Sequence, residues 1–414
     1  MAQDIPCTAS DPMPAPAPAL SSQSLLFSFG SIADVQFCDK DDGTDFSGQT
    51  PRYYRGSLAC LHRAVEYWGA VASGLYHPGS EQQPGLEGGQ SRPRSLAFIA
   101  QLGDIIDGFC RDLGQSEADM RRVLEVLEGC NSFCDRVVHL IGNHDLYNLA
   151  SLGGDLHPWL QTRSNVTDPS VEYHSFNPVE SIRVVVLNSF HLSTMLPKGT
   201  PEHGQAQALM DKYNPNDLSR PCNFSTGLSG LDQRWVPYNG GLGEGQLAWL
   251  AAELQEAKAT CQTVIILSHV PLHPEASQNG ARTVIWDYDA ALALIRDSGC
   301  VAAVLAGHNH KGGYCIGAED GVHHVTFQSP LNKGDAGNCY GHVDVYPDRL
   351  VIAGPNLPDH VGPELHPACS PRGGAAAAVD APVASEDSGD GGGLHEVTLP
   401  FPVSCLAARR AASA

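Results

Sequence analysis

Short apolar runs recur along this chain at residues 25 to 33, 96 to 102, 136 to 141, 182 to 188, 262 to 268 and 300 to 306. Segments between them carry apolar residues three to four positions apart: Leu58, Leu61, Val65, Trp68 and Ala72; Met120, Val123, Leu124 and Leu127; Leu247, Leu250 and Leu254; Ala291, Leu292 and Ile295. That spacing lines one face of a helix, whereas the short runs suit strands. A β-α alternation of this kind restricts the chain to an α/β fold. Later runs at 322 to 328, 341 to 346 and 349 to 353 follow one another with no helix between, which adds antiparallel strands and makes the sheets mixed.

The 414 residues, 42% of them hydrophobic, suffice for a full core. Residues 1 to 24 are rich in Pro, Ala and Ser, and residues 355 to 414 in Gly, Ala, Pro and acidic residues without periodicity. These ends read as a disordered N-terminal tail and a largely disordered C-terminal one, around a domain spanning 25 to 354. Within it, 77 to 94 reads as a loop insertion and the Gly- and Pro-punctuated stretch from 195 to 243 as a lid. A net charge of -21 argues against a nucleic-acid partner, because such binding rests on Lys and Arg neutralising phosphates. No run approaches the ~18 apolar residues of a membrane span, and the first residues lack signal- or transit-peptide character. The thirteen cysteines are an odd number without CxxC pairs, which fits reduced thiols in the cytoplasm. No membrane and no obligate protein partner is implied.

Strand after strand ends in a residue able to bind a metal: Asp34 and Gln36, Asp104, Asn143 and His144, His269, and His308 with His310. Each alone has an ordinary explanation, since carboxylates cap helices and form turns and single histidines settle in cores. Together they fall where ligands bind in open α/β sheets, at the shared edge formed by the carboxyl ends of strands. Glycines precede three of them, and Gly103, Gly142 and Gly307 let the backbone turn sharply and approach an ion closely. The expected arrangement places Asp34, Gln36, Asp104 and His310 around one ion and Asp104, Asn143, His269 and His308 around another. Such pairs, ~3.5–4 Å apart, activate water for in-line displacement at phosphorus. Oxygen and imidazole ligands without thiolate suit Mn(II), Fe(II) or Zn(II), and two divalent ions would attract a phosphoester or pyrophosphate even on an acidic protein.

These residues resemble the calcineurin-like metallophosphoesterases, whose pattern runs D-x-H, G-D, G-N-H-[DE], H and G-H-x-H. Here it stands as Asp34-Val35-Gln36, Gly103-Asp104, Gly142-Asn143-His144-Asp145, His269 and Gly307-His308-Asn309-His310. Gln36 departs from the usual histidine, and a neutral amide is the poorer donor. The segments "ADVQF", "RYYRGSL", "QLGDIIDG", "GNHDLYN", "SHVPLHPEAS" and "AGHNHKGGY" resemble the branch of that family that hydrolyses ADP-ribose and CDP-alcohols with manganese. The resemblance implies a sandwich of two mixed β-sheets flanked by helices and a pair of Mn(II) ions. It also implies cleavage of ADP-ribose, CDP-choline or CDP-glycerol to a nucleoside monophosphate and a phosphorylated sugar or alcohol. His144 would stand beside the metals and give a hydrogen bond or proton to the leaving oxygen, with Asp145 orienting its ring; Asp145 could equally be a turn former. Phe46 matches an aromatic near the family's nucleotide pocket, and it could as well be core. The metal pattern alone also fits a phosphomonoesterase, a cyclic-nucleotide phosphodiesterase, or a non-catalytic scaffold.

Overall fold

All nine apolar runs are strands of two six-stranded sheets in the computed structural model, which describes residues 24–45, 47–74, 95–160, 173–220, 222–278, 280–334, 337–355 and 394–412. The first sheet has the order β14 (Leu394–Pro400), β13 (Arg349–Pro355), β12 (Tyr340–Val345), β1 (Phe27–Ile32), β4 (Phe98–Gln101), β5 (Val137–His139). The second runs β10 (Lys311–Ile316), β11 (His323–Gln328), β9 (Val301–Ala306), β8 (Thr263–Ser268), β7 (Ile182–Val186), β6 (His174–Val179). A two-stranded hairpin, β2 (Gly43–Thr44) with β3 (Pro51–Arg52), stands apart. Parallel pairing holds together β1, β4 and β5 in one sheet and β7, β8, β9 and β11 in the other, with antiparallel strands completing each. Both sheets are therefore mixed.

Parallel strands in such a fold are buried on both faces. Phe98 and Ala100 of β4 lie with Phe29, Val138, Ile265, Leu267, Leu305 and Val325 in a core layer shared by the two sheets. The rings of Phe29 and Phe98 stack at 4.4 Å. Ile99, one residue on, faces the other way, into a layer shared with Leu61 and Trp68 of helix Tyr54–Ala72 and with Val123 of helix Ser116–Glu128. On the second sheet, Ile266 joins Leu250 and Leu254 of helix Gly243–Ala259 and Ile295 of helix Tyr288–Ser298 in the same manner. The four helices expected from the spacing are thus present, outside the sheets.

The stretch from 355 to 414, read from composition as a largely disordered tail, ends in an ordered piece of the domain. β14 pairs with β13 over seven residues, Leu399, Phe401 and Cys405 are buried, and a helix follows at Val403–Ala412. The domain boundary expected at 354 therefore falls too early. The alternation of Val397 and Leu399 is short and follows a long Gly- and Ala-rich stretch that masks it. Of the tail expected at 1 to 24 all but Ser24 lies outside the described residues, as does the whole insertion at 77 to 94. Among the described residues no helix is long and apolar enough to cross a membrane.

Gly30 shows how tightly the outer layer seats on the sheet. A Cβ there would lie 2.6 Å from Ile99 Cδ1 and 2.7 Å from Trp68 Nε1, the nitrogen that donates to Gly341 O at 2.7 Å. Gly30→Ala is expected to destabilise the protein by about 1–3 kcal/mol through overpacking. Equilibrium denaturation in urea checks this, and an unchanged midpoint would show that the layer yields freely.

Candidate metal centre

Ligand loops reveal themselves first in the backbone. Among the described residues five non-glycine positions have positive φ, and four of them are Asp34 (52°), Gln36 (44°), Asp104 (57°) and His308 (65°). Left-handed backbone is unfavourable for side chains with a Cβ and persists where the surroundings enforce it. Here the strand ends enforce it by lacing together, with Asp34 N–H donating to Gly103 O at 3.1 Å and Gln36 N–H to Asp104 O at 2.9 Å. The three glycines singled out in the sequence sit where the ligand loops approach one another too closely for a Cβ. A Cβ on Gly142 would collide with the Asp104 carboxylate, one on Gly103 with the His269 ring, and one on Gly307 would lie 2.6 Å from Asp34 Oδ2.

Two groups of ligand atoms result, each within 4.8 Å: Asp34, Asp104 and His310, and Asp104, His269 and His308. Asp104 belongs to both, as a bridging carboxylate must. The rings are aimed by their second nitrogens, as metal-binding histidines usually are. His269 Nδ1 is 2.7 Å from Leu102 O, His308 Nε2 is 2.8 Å from Asn239 Oδ1, and His310 Nδ1 is 3.3 Å from Asn332 Oδ1. Asn143 adjoins them, 4% exposed, at the start of the short helix Asn143–Tyr147. Gln36 also reaches the centre, but with its amide nitrogen, 2.7 Å from Asp104 Oδ2 and 2.9 Å from His310 Nε2. Its oxygen is turned to Arg52 Nη1 at 3.5 Å. Ligation through oxygen requires the amide to turn over.

The donor set fits cations. Asp34 and Asp104 are 0% and 1% exposed, and buried carboxylates side by side need compensating positive charge. Without it Asp34 is pushed well above the usual carboxylate range, by burial first and by the Asp104 charge second. Burial holds His269 and His308 below the usual imidazole value and brings His310 down to about 3, so all three are neutral, the form that ligates. His269 Nε2 and Asn143 Oδ1 are buried with no hydrogen-bond partner among the described residues, although buried polar atoms rarely go unsatisfied. Two divalent ions of the oxygen- and nitrogen-preferring kind would satisfy both atoms and both carboxylates.

His144 stands beside this cluster rather than in it, and its neighbours correct one expectation. Asp145 does not orient the ring: its carboxylate accepts the backbone N–H of Asp104 (2.9 Å), Ile105 (2.8 Å) and Gly142 (2.9 Å), so it ties the loops together as a turn former. The carboxylate beside the ring is Asp107, whose Oδ2 is 3.1 Å from His144 Nδ1. The same nitrogen lies 3.0 Å from Gly108 N–H, so the neutral ring accepts there and the protonated ring donates a hydrogen bond from Nδ1 to Asp107. Burial opposes a charged ring, but Asp107 and Asp104 outweigh it and hold His144 above the usual imidazole value. Sequence reading passed over Asp107 because it caps the next helix turn, donating no motif of its own. Arg52, 3.9 Å from Asp107 Oδ2, was missed likewise, and Asn239 had no signal beyond its place in the long stretch before 243.

That stretch is not plain loop. It contains helix Pro201–Tyr213 and a 3-10 turn at Gly230–Arg234, and Ala206 and Met210 of the helix pack with Leu192, Trp235 and Trp286 in a small core. Its end brings Tyr238 to 6.0 Å from the His308 ring. Phe46 lies outside the described residues. An open cavity of about 620 Å³ lined by Tyr53, Arg55 and Lys333 contains no metal ligand, although it adjoins Arg52 and Asn332 along the chain.

Residues 85–312 match the family model of the calcineurin-like phosphoesterases. The chain is 37% identical over 335 residues to the manganese-dependent ADP-ribose/CDP-alcohol diphosphatase of Oryza sativa, covering 81% of this chain and 92% of that protein. The human protein of the same name is 33% identical over 85% of this chain and 96% of its own length. A crystal structure of a dimetal phosphatase from Danio rerio superposes with a TM-score of 0.68 at 30% identity, covering 80% of this chain and 96% of the other.

Because Gly142 leaves no room for a Cβ beside the bridging carboxylate, Gly142→Ala is expected to lose most of its bound manganese while keeping a folded circular-dichroism spectrum. Elemental analysis after dialysis decides it: full retention would mean that Asp104 does not bridge.

Proposed function

The chain belongs to the calcineurin-like phosphoesterases, and from that membership we propose that it hydrolyses the pyrophosphate bond of ADP-ribose and of CDP-alcohols such as CDP-choline and CDP-glycerol. The products are a nucleoside monophosphate and a phosphorylated sugar or alcohol. The observation that carries this reading is Asp104 standing between two ligand groups in a chain that aligns along nearly the full length of manganese-dependent diphosphatases. Asp34, Asp104, Asn143, His269, His308 and His310, with Gln36 beside the first group, would hold two Mn(II) ions, which when bound would supply Lewis-acid activation of water and neutralise phosphate charge.

The remaining work falls to side chains of the protein. Arg52 has its guanidinium near Gln36 and Asp107 and 18% of its side chain exposed, where it can meet a phosphate oxygen of the substrate. His144, also 18% exposed, has Nδ1 turned to Asp107 and its other nitrogen free of that pair to face the leaving oxygen. A protonated ring in that place donates to the oxygen as charge develops there, and Asp107 keeps the proton on the ring. Tyr147, whose ring packs edge-on against His144 at 5.1 Å, and Tyr238 supply aromatic surface for a base or ribose. Phe46 remains a candidate for the same task. Stacking tolerates different bases, which suits both ADP and CDP compounds. The segment 195–243 is then the wall, or lid, on that side. None of the eleven cysteines among the described residues forms a disulfide, which supports a reducing compartment such as the cytoplasm.

With purified protein and Mn(II), ADP-ribose and CDP-choline should be hydrolysed in preference to a cyclic nucleotide or an aryl phosphate, with AMP or CMP resolved by chromatography; preference for the aryl phosphate overturns the reading. In the same assay His144→Ala should lose roughly 10²–10⁴-fold in kcat at unchanged manganese content. Arg52→Ala should instead raise KM by roughly tenfold or more, the worth of a charge-assisted hydrogen bond. Loss of manganese from His144→Ala would make it a ligand, and an unchanged KM in Arg52→Ala would remove that residue from the substrate site.

A further inference from the structure

The loop that carries His269 runs on to His273 and there lies across β10, the strand that follows His310. Gly313 makes the crossing possible, since a Cβ at that point of β10 would collide with the carbonyl of Ala276. The close approach brings His273 Nδ1 to 3.2 Å from Cys315 Sγ. Ligand atoms of His273, Glu275 and Cys315 all lie within 4.8 Å of one another. Cys315 is paired across the ladder with His324 of β11, so the two side chains leave the same face of the sheet. The His324 ring centroid is 4.9 Å from that of His273. His324 is 2% exposed, and neither ring nitrogen has a hydrogen-bond partner among the described residues. An imidazole buried with both nitrogens unsatisfied is costly unless something else fills the gap.

We propose that His273, Glu275, Cys315 and His324 form a second metal site, separate from the manganese centre, that takes a thiophilic divalent ion of the Zn(II) class. One thiolate, two imidazoles and a carboxylate are a four-donor set suited to tetrahedral zinc, whereas the manganese centre contains no sulfur. Binding releases the Cys315 thiol proton to solvent, and exposed Glu275 marks the side from which the ion enters. Turning the His324 ring toward Cys315 completes the set and satisfies a nitrogen that otherwise has no partner among the described residues. The ion fastens the loop after His269 to the strand after His310, one loop from each ligand group of the catalytic centre, and so acts as a structural brace on both.

The test uses the full-length protein saturated with Mn(II) and titrated with Co(II), whose bond to a thiolate gives a charge-transfer absorption in the near ultraviolet. We expect that band to appear, Zn(II) to bleach it stoichiometrically, and Cys315→Ser to abolish it. His324→Gln should weaken Co(II) binding by roughly tenfold or more while keeping the band. No band in the wild type, or a band undiminished in Cys315→Ser, overturns the proposal. Should Cys315→Ser fail to fold, His273→Gln decides: weakened Co(II) binding supports the site and unchanged binding overturns it. The readout needs no substrate, so it is independent of the diphosphatase reading.

Discussion

Asp104 is the residue on which the rest of the structure depends. Its carboxylate belongs to both ligand groups, accepts His144 N–H at 2.8 Å and the Gln36 amide at 2.7 Å, and is almost wholly buried. A carboxylate can serve two cations through its two oxygens, whereas an imidazole serves one, and among the described residues Asp104 is the carboxylate shared by both groups, so it is placed to set the spacing of a metal pair. The backbone that carries it is fixed from the other side. Asp145 collects the N–H groups of Asp104, Ile105 and Gly142 on one carboxylate, which ties the end of β4 to the loop after β5. Two carboxylates from neighbouring strand ends thus divide the labour, one for ions and one for the loops that hold it.

The cost of this arrangement is concentrated where the ligands are. Four side-chain-bearing residues sit in left-handed backbone, each worth of order 1–3 kcal/mol of strain, and two carboxylates are buried beside each other. Burial and the Asp104 charge push even Asp145 up to about 7, against three N–H donors that favour its ionised form. The extensive two-sided core of the sheets is what tolerates such a cluster, and cations relieve it. Metal binding is accordingly part of the folding free energy of these loops as well as of the chemistry. The same charges explain how a protein of net charge -21 can attract a pyrophosphate: the field that matters is local, set by two ions and Arg52 rather than by the distant acidic surface.

Most of this was legible in the sequence because the fold and the ligands share one signal, apolar strands that stop at a polar residue. β1, β4, β5, β8 and β9 were bounded by that signal, and the ligands at their ends converge as the shared sheet edge requires. β6 and β10 were not seen. His174–Val179 is only half-buried and interrupted by Asn177 and Pro178, and Lys311–Ile316 opens with two glycines after its lysine, so neither shows an apolar run. β14 was hidden by the composition before it. In each case burial is supplied by a neighbouring strand rather than announced by the strand's own residues.

The partners of the ligands were harder to read than the ligands, and the exchange of Asp145 for Asp107 shows why. A residue next in sequence to a catalytic histidine on a helix points about 100° away from it, because successive side chains fan around the axis. Asp145 therefore cannot easily face the ring of His144; it turns back toward the N-terminus of its helix, where it accepts Gly142 N–H, and reaches across to the N–H groups of Asp104 and Ile105 on the neighbouring loop. The residue that does face the ring comes from another strand end, three positions after Asp104, where nothing local distinguishes it from a helix cap. Asn239 reaches His308 from a still more distant segment. Ligand motifs are local because a strand end presents only a few side chains to an ion, but the groups that aim them are tertiary neighbours, and sequence proximity is a poor guide to which carboxylate holds which ring.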